Sequence, residues 1–446
     1  MRWSERLLLA IFLLPITASA LPADDWPQWL GPKRDSVWRE TGIMQKFPAA
    51  GPKVLWRQPV TGGYSGPAVA AGRVYVADFL TDVDTRQASA PNSRPEIDGQ
   101  ERILCFDSQS GEPLWTHAYP CHYTISYPAG PRCTPTVHDG RVYALGAEGN
   151  LFCLDAVKGN ILWSKDFKRD FKSKTPTWGF CGHPLVEGKK LICVVGGEEG
   201  VAFAFDKDTG EEIWHALSAR EPGYSPPTMI EAGGVRQLLI WHAESINSLN
   251  PDTGTVYWTI PLDPAYGMAI MPPRQSGEFL FAGGIGFKAV LIRLAVDRPA
   301  ATEVWRGTNK NAIYPVNSAP FLEDGLIYGI DQPGPLRGVK LDTGERLWET
   351  FRPVTGNDTS RPVNSGTAFL VKNGDRFFLT SETGHLIIAR LSRQGYDEIG
   401  RWKMLEPTGI ALGREDSVLW SHPAFANKCV FARNDKELVC VSLAGE

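Results

Sequence analysis

The sequence predicts an all-β fold: an eight-bladed β-propeller of four-stranded antiparallel blades, with the last blade closed by the N-terminal strand. Three observations predict it. Eight of the 15 tryptophans, Trp56, Trp115, Trp163, Trp214, Trp258, Trp305, Trp348 and Trp402, recur about every 43 to 59 residues. Each ends a related phrase, clearest in Asp107-Ser-Gln-Ser-Gly111-Glu-Pro-Leu-Trp115, Asp155-Ala-Val-Lys-Gly159-Asn-Ile-Leu-Trp163 and Asp206-Lys-Asp-Thr-Gly210-Glu-Glu-Ile-Trp214. Between the phrases lie short apolar runs bounded by Gly, Asn and Asp clusters. Self-similarity with this period, several short strands to a repeat, is the signature of a propeller.

One repeat shows the logic. Arg141–Leu145 is apolar and rich in β-branched and aromatic residues, 146–150 is turn chemistry, Leu151–Asp155 is a second run, and Ile161–Ser164 follows a further turn. With a short segment near Thr134, the repeat supplies four strands of an up-and-down meander. In the Asp-x-x-x-Gly turn the Asp side chain is placed to accept backbone N–H bonds, and the Gly tolerates a positive φ that a Cβ opposes. The turn delivers the Trp to the outer strand, where its ring wedges between sheets.

Asn250–Trp258 keeps the phrase with Asn for Asp. Later copies decay: 295–305 has lost both Asp and Gly, Trp348 follows Gly344 but Lys340 stands where Asp is usual, and 391–402 has a longer turn. The final repeat, 421–446, is one strand short, and Lys53–Arg57 is an outer strand with none before it. Placed together they complete an eighth blade and hide two sheet edges. The predicted blades lie near 64–119, 133–167, 181–217, 224–262, 268–307, 317–350, 365–404 and 421–446 with 53–59. A seven-bladed ring is the alternative if the fifth copy is not a full blade.

The predicted organisation is a signal peptide at 1–20, an N-terminal leader segment at 21–52 and the propeller at 53–446, with a polar insertion in blade 1 at about 78–102. Arg2 and Arg6 precede a ten-residue apolar stretch, Leu7–Ile16, too short for a bilayer, and Thr17-Ala-Ser-Ala20 fits a cleavage site. A retained anchor is the alternative. No later segment is apolar enough to span a membrane, so a soluble periplasmic or secreted protein is expected. A formal net charge of −4 with no long basic run leaves no electrostatic footprint for nucleic acid. Export permits disulfides: Cys121 with Cys133 and Cys429 with Cys440 are candidate pairs, whereas Cys105, Cys153 and Cys440 share one repeat position and read as small core residues. No CxxC is present, and no metal site is predicted.

The phrases resemble the Trp-docking motif of pyrroloquinoline-quinone-type (PQQ-like) propeller repeats, over about residues 53–446. That family includes quinoprotein alcohol dehydrogenases and the propeller lipoprotein of the outer-membrane barrel-assembly machinery. The opening Asp25-Trp-Pro-Gln-Trp-Leu-Gly-Pro32 is similar to leaders of exported propellers from planctomycete-type bacteria. The resemblance implies an eight-bladed propeller in the periplasm or outside the cell. It carries no activity across, because the adjacent Cys-Cys of the dehydrogenases, a heme-attaching CxxCH and the lipid-anchoring Cys of the assembly protein are all absent from this sequence.

One constellation remains. The connections that precede each blade's first strand carry Tyr64, Tyr127, Trp178, Tyr224, Tyr266, Tyr314, Arg361 and Trp420, and His183 and His422 follow two of them in matching Gly/Ser-His-Pro contexts. All these connections emerge on one face, near the central channel. A funnel ringed by aromatic faces and a cation suits sugars, quinones or peptide side chains; alternatively the rings brace neighbouring loops and the histidines are hydrogen-bonded core residues. The expected function is an exported, non-catalytic binding or scaffold propeller for a protein, peptide or glycan, with no cofactor predicted. The alternatives are an oxidoreductase with pyrroloquinoline quinone in the funnel, and a carbohydrate-active enzyme, which needs two carboxylates across the funnel, the candidates being Glu198, Asp331 and Asp416.

Overall fold

The computed structural model describes residues 24–89, 93–358, 362–411 and 413–445; the expected signal peptide lies outside them. Eight four-stranded antiparallel sheets form in chain order, spanning 68–123, 136–166, 185–216, 228–261, 274–306, 321–350, 368–403 and, for the eighth, 424–442 with Val54–Pro59. The fifth copy is a full blade despite its decayed phrase, so the ring has eight blades. Closure is by direct pairing: Trp56 lies opposite Cys440, Arg57 opposite Val439 and Gln58 opposite Leu438.

The Asp/Gly turn works as its chemistry requires. Asp107 Oδ1 accepts from the amides of Gln109 (2.9 Å) and Ser110 (2.8 Å), and Asp155 and Asp206 repeat this. Its glycine is demanded twice over. Gly210 sits at φ +75°, and a Cβ there would lie 2.8 Å from the ring of Trp163, a residue of the preceding blade. Trp115, Trp163 and Trp214 thus each lie on the next blade's glycine and donate to that blade's turn carbonyl: Trp115 to Ala156 O (3.1 Å), Trp163 to Lys207 O (3.1 Å), Trp214 to Pro251 O (3.2 Å). A β-bulge just before the tryptophan turns the ring toward the neighbour.

Three tryptophans depart from the expected pattern. Trp348 keeps its bond to the next turn, donating to Ser392 O at 2.9 Å, but its ring lies over Gly338 of its own blade and not on Gly395. Trp258 faces a turn with no glycine and donates instead to Gln237 Oε1 of its own blade, at 2.9 Å. Trp402 is not at a docking position: its strand bulges between Glu398 and Gly400, so Gly400 stands where the other blades place tryptophan. The reason lies in the closure. Blade 8 draws its outer strand from the other end of the chain and has no turn there to receive an indole. Leader residues fill the gap, with Phe47 beside Gly400 and Gly51 under the ring of Trp402.

All eight cysteines are free thiols in the structure. Cys121 ends the outer strand Pro113–Tyr123 and is not bridged to Cys133. Cys429 and Cys440 are diagonal neighbours across the last hairpin, Cys429 opposite Ser442 and Cys440 opposite Phe431, and are unbridged. Cys105, Cys153 and Cys440 are buried core residues.

The leader is part of the fold. Trp26 pairs with Val69 in the inner strand of blade 1, and Val37 and Ile43 bridge to Lys372 and Ala444. Between these anchors the chain rises into the central channel and turns back. Arg34, at the turn, donates to the carbonyls of His183 (3.4 Å), Pro227 (3.2 Å) and Pro184, while Arg274 donates to the carbonyls of Arg34 and Asp35, both at 2.8 Å. A buried charge held by several acceptors fixes a chain segment firmly, since leaving any of them unpaired is costly. The leader therefore corks the channel from the face that bears the Asp/Gly turns.

Candidate functional site

Because the four strands of a blade alternate in direction, every connection from an outer strand to the next inner strand opens on the face opposite the Asp/Gly turns. These connections surround a cavity of about 860 Å³, within the usual range for small-ligand pockets. The insertion in blade 1 rises beside it as an extension of Arg73–Leu80, Ile97–Asp107 and Pro113–Tyr123, with a short helix, Thr85–Ala88, at its described tip. Arg94 ties it to the Thr124 and Thr175 carbonyls, at 2.6 and 3.1 Å.

Eight of the ten residues singled out from the sequence line this cavity: Tyr64, Tyr127, Trp178, His183, Tyr224, Tyr266, Trp420 and His422. They are graded in depth, from Tyr266 at the rim (78 % exposed) to His183 (7 %) and Tyr224 (3 %) below. Tyr314 is not among the lining. It is buried, and its hydroxyl donates to the carbonyls of Thr308 (2.5 Å) and Asn311 (3.1 Å), bracing its own loop; Val316 and Asn317 line the cavity from that blade instead. Arg361 lies outside the described residues, and Asn364 and Ser365 face the cavity from its connection.

The floor comes from a residue that the repeat pattern did not single out. Trp29, at the top of the leader hairpin, stacks on His183 with centroids 4.7 Å apart and meets His422 edge-on at 5.5 Å. On the walls Tyr127 lies 6.0 Å from Trp420, and Trp178 packs edge-on against Tyr224 at 5.7 Å. Arg132 lies over the Tyr64 ring at 5.2 Å, but its guanidinium hydrogens are committed to the carbonyls of Trp178, Ser126, Tyr127 and Gly130.

Burial sets the electrostatics. It holds His183 well below the ordinary imidazole range, with His422 and Arg34 adding repulsion, and it brings His422 down to about 3. Both rings are neutral at physiological pH, and His183 Nδ1 accepts from the Thr134 amide at 3.0 Å. Burial raises the Tyr64 phenol and brings the Cys181 thiol up to about 11, which leaves that thiol unreactive. Three polar atoms of the lining residues, Trp29 Nε1, Tyr64 OH and Tyr224 OH, are buried without a hydrogen-bond partner. Such atoms are uncommon in folded proteins and costly unless something satisfies them.

Acidic residues at the ends of second strands hold these connections in place. Asp78, Glu148, Asp331 and Glu382 accept from the amides of Thr61 (2.8 Å), Thr124 (2.6 Å), Tyr314 (2.8 Å) and Thr367 (2.8 Å). Glu382 also receives the Trp420 indole N–H at 3.3 Å. Of the three carboxylates proposed for glycosidic chemistry, Asp331 is spent in this way and is paired with Arg337 at 3.2 Å, Glu198 is exposed and paired with Lys172 at 3.0 Å, and Asp416 is exposed; none lines the cavity.

Fold and cavity together define a closed eight-bladed propeller with a blind, aromatic-lined funnel on its loop face. The chain belongs to the PQQ_2 family, described as outer membrane protein assembly factor BamB, which it matches over residues 99–350 and 242–446. It is 24 % identical to BamB of Yersinia pestis over 253 residues, 54 % of this chain and 62 % of that protein. It is 27 % identical to the quinohemoprotein alcohol dehydrogenase ADH-IIG of Pseudomonas putida over 135 residues, 28 % of this chain and 18 % of that one. The chain thus spans less than two thirds of the length of these relatives. Among solved structures, BamB from Moraxella catarrhalis superposes with a TM-score of 0.55 at 15 % identity, covering 87 % of this chain and 97 % of that one. The quinohemoprotein alcohol dehydrogenase from Comamonas testosteroni superposes with a TM-score of 0.57 at 14 % identity, covering 96 % and 82 %. These likenesses establish the fold.

Proposed function

We propose that this protein is an exported, non-catalytic binding propeller that recognises a protein, peptide or glycan through its funnel face. The observation that carries this reading is the funnel itself: all eight connections contribute residues to one blind cavity whose walls are aromatic and whose buried guanidinium, Arg132, is engaged in holding backbone carbonyls. Relatives named as outer-membrane assembly factors point the same way, toward a scaffold in the cell envelope.

The competing reading is a quinone-dependent oxidoreductase. The lining does not fit a carboxylated quinone held with a metal ion. Arg132 has its guanidinium committed to carbonyls, Arg220 donates to Ala243 O at 3.4 Å, and among the described residues Glu221 is the one carboxylate in the lining.

The test uses the full-length protein, fluorescently labelled, on printed arrays of peptides and glycans. Discrete positives that Trp420→Ala removes support the reading. Dye reduction that depends on added pyrroloquinoline quinone and calcium overturns it.

A further inference from the structure

Resting on that reading, we infer that the funnel takes the end of an uncharged saccharide, with sugar rings lying on the aromatic walls and their hydroxyls reaching the unpartnered polar atoms of the floor.

Three features select this chemistry. The walls present half-buried aromatic rings at several inclinations: Tyr127 and Trp420 are tilted 42° to each other, and Trp178 is set on edge against the buried Tyr224 at 74°. A pyranose matches them, because it offers apolar C–H faces on both sides and a girdle of hydroxyls around its edge. A single planar ligand uses one such face and leaves the others idle. The floor then asks for an acceptor at Trp29 Nε1 and for a hydrogen-bonding group at Tyr64 OH. A hydroxyl serves both, since it accepts and donates.

The site also selects against charge. His183 and His422 carry none at neutral pH, and four of the five Arg132 N–H groups are already bound to carbonyls. Among the described residues, the charged groups Arg220 and Glu221 stand at the exposed rim, so an anion or ammonium that descends to the floor loses its hydration without meeting an oppositely charged group whose hydrogen-bonding capacity is free; burying either unpaired is costly.

Closure of the channel adds a geometric condition. Trp29 is held from below by Arg34, whose side chain is fastened to blades 3 and 4, so nothing threads through. The funnel therefore accepts a chain end or a free small sugar and rejects the middle of a polymer.

The test is saturation-transfer NMR and calorimetry on the full-length protein with glucose, N-acetylglucosamine and cellobiose, set against glucuronic acid, glucose 6-phosphate and a tyrosine-containing tripeptide. Transfer to the C–H protons of the neutral sugars is expected, with glucuronic acid and the phosphate at least about tenfold weaker. Trp420→Ala should weaken sugar binding by about tenfold, roughly the worth of one stacked ring. Tyr64→Phe, which removes only the unpartnered hydroxyl, should weaken it several-fold without lowering the thermal midpoint. Absence of transfer to every sugar overturns the proposal, as does a preference for the acid or the phosphate. Tripeptide binding that Trp420→Ala abolishes, without sugar binding, overturns the saccharide and leaves the binding-propeller reading standing. Quinone-dependent dye reduction removes that reading as well.

Discussion

Trp29 lies face to face with His183, ring centroids 4.7 Å apart and planes 10° from parallel, although one residue belongs to the leader and the other to the entry of blade 3. This stack joins the cork to the ring, and it requires an uncharged imidazole, because Nδ1 already accepts the Thr134 amide.

Acid should therefore loosen the cork. Both imidazoles have folded-state pKa values below 6.5, the ordinary value, that of His422 at about 3. Below about pH 6.5 the unfolded chain takes up protons that the folded one refuses, so stability falls with pH. The contribution is complete above that point and is lost as pH drops toward the folded values. Thermal midpoints recorded from about pH 8 to pH 4 should fall less steeply in a His183→Phe, His422→Phe double variant than in the wild type. Equal slopes would show that these rings do not govern the acid response.

The glycine that receives a docking ring can be split into its two causes. Gly254 sits at φ +73°, and a Cβ there would lie 2.8 Å from Trp214. Trp214→Ala should cost about 3–5 kcal/mol, and Gly254→Ala should destabilise through both strain and clash. In the double variant the clash is gone, so its loss should fall short of the sum by about 1 kcal/mol or more. Strict additivity in urea unfolding would refute the contact.

Trp402, displaced from the docking position, predicts a difference in kind. Truncating Phe47 in the leader to alanine should destabilise blade 7 measurably, because Phe47 packs beside Gly400 where other blades carry an indole. Hydrogen exchange in Tyr396–Lys403 should speed up in Phe47→Ala and stay at the wild-type rate in Trp214→Ala variants that remain folded.

Two tyrosines at matching positions in their connections should behave oppositely. Tyr314→Phe breaks hydrogen bonds to Thr308 and Asn311 and should cost about 1 kcal/mol. Tyr64→Phe removes a hydroxyl that has no partner and should leave the thermal midpoint unchanged or raised. Differential scanning calorimetry distinguishes them.

Much of the ring was legible because its determinants are local. An Asp that caps its own turn, a Gly at positive φ and a Trp four residues later are all written within nine residues, and closure followed from a repeat lacking one strand. The eighth tryptophan misled for the same reason: its spacing matched, but a bulge two residues away set which side chain faces the neighbour. Tyr314 and Tyr224 occupy like positions, and only the Thr308–Asn311 turn decides that the first is braced inside its loop. The floor was not legible. Trp29 belongs to a segment without period, and its place is fixed by Arg34 reaching carbonyls about 150 and 190 residues away. The acidic holders of the loops were equally hidden, since the residue type alternates between Asp and Glu and each partner is a backbone amide.

The pairing of Trp56 with Cys440 has a consequence for how the molecule is made. Residues 54–59 leave the ribosome, and in an exported protein cross the membrane, hundreds of residues before the strand they need. Until 438–443 arrive, the growing chain carries two bare sheet edges and an unoccupied bore. Ends so distant in sequence meet slowly, and such edges invite aggregation while they wait. Sealing the circle must therefore await the last strand to be made, and until then the edges of the first and last blades stay unprotected.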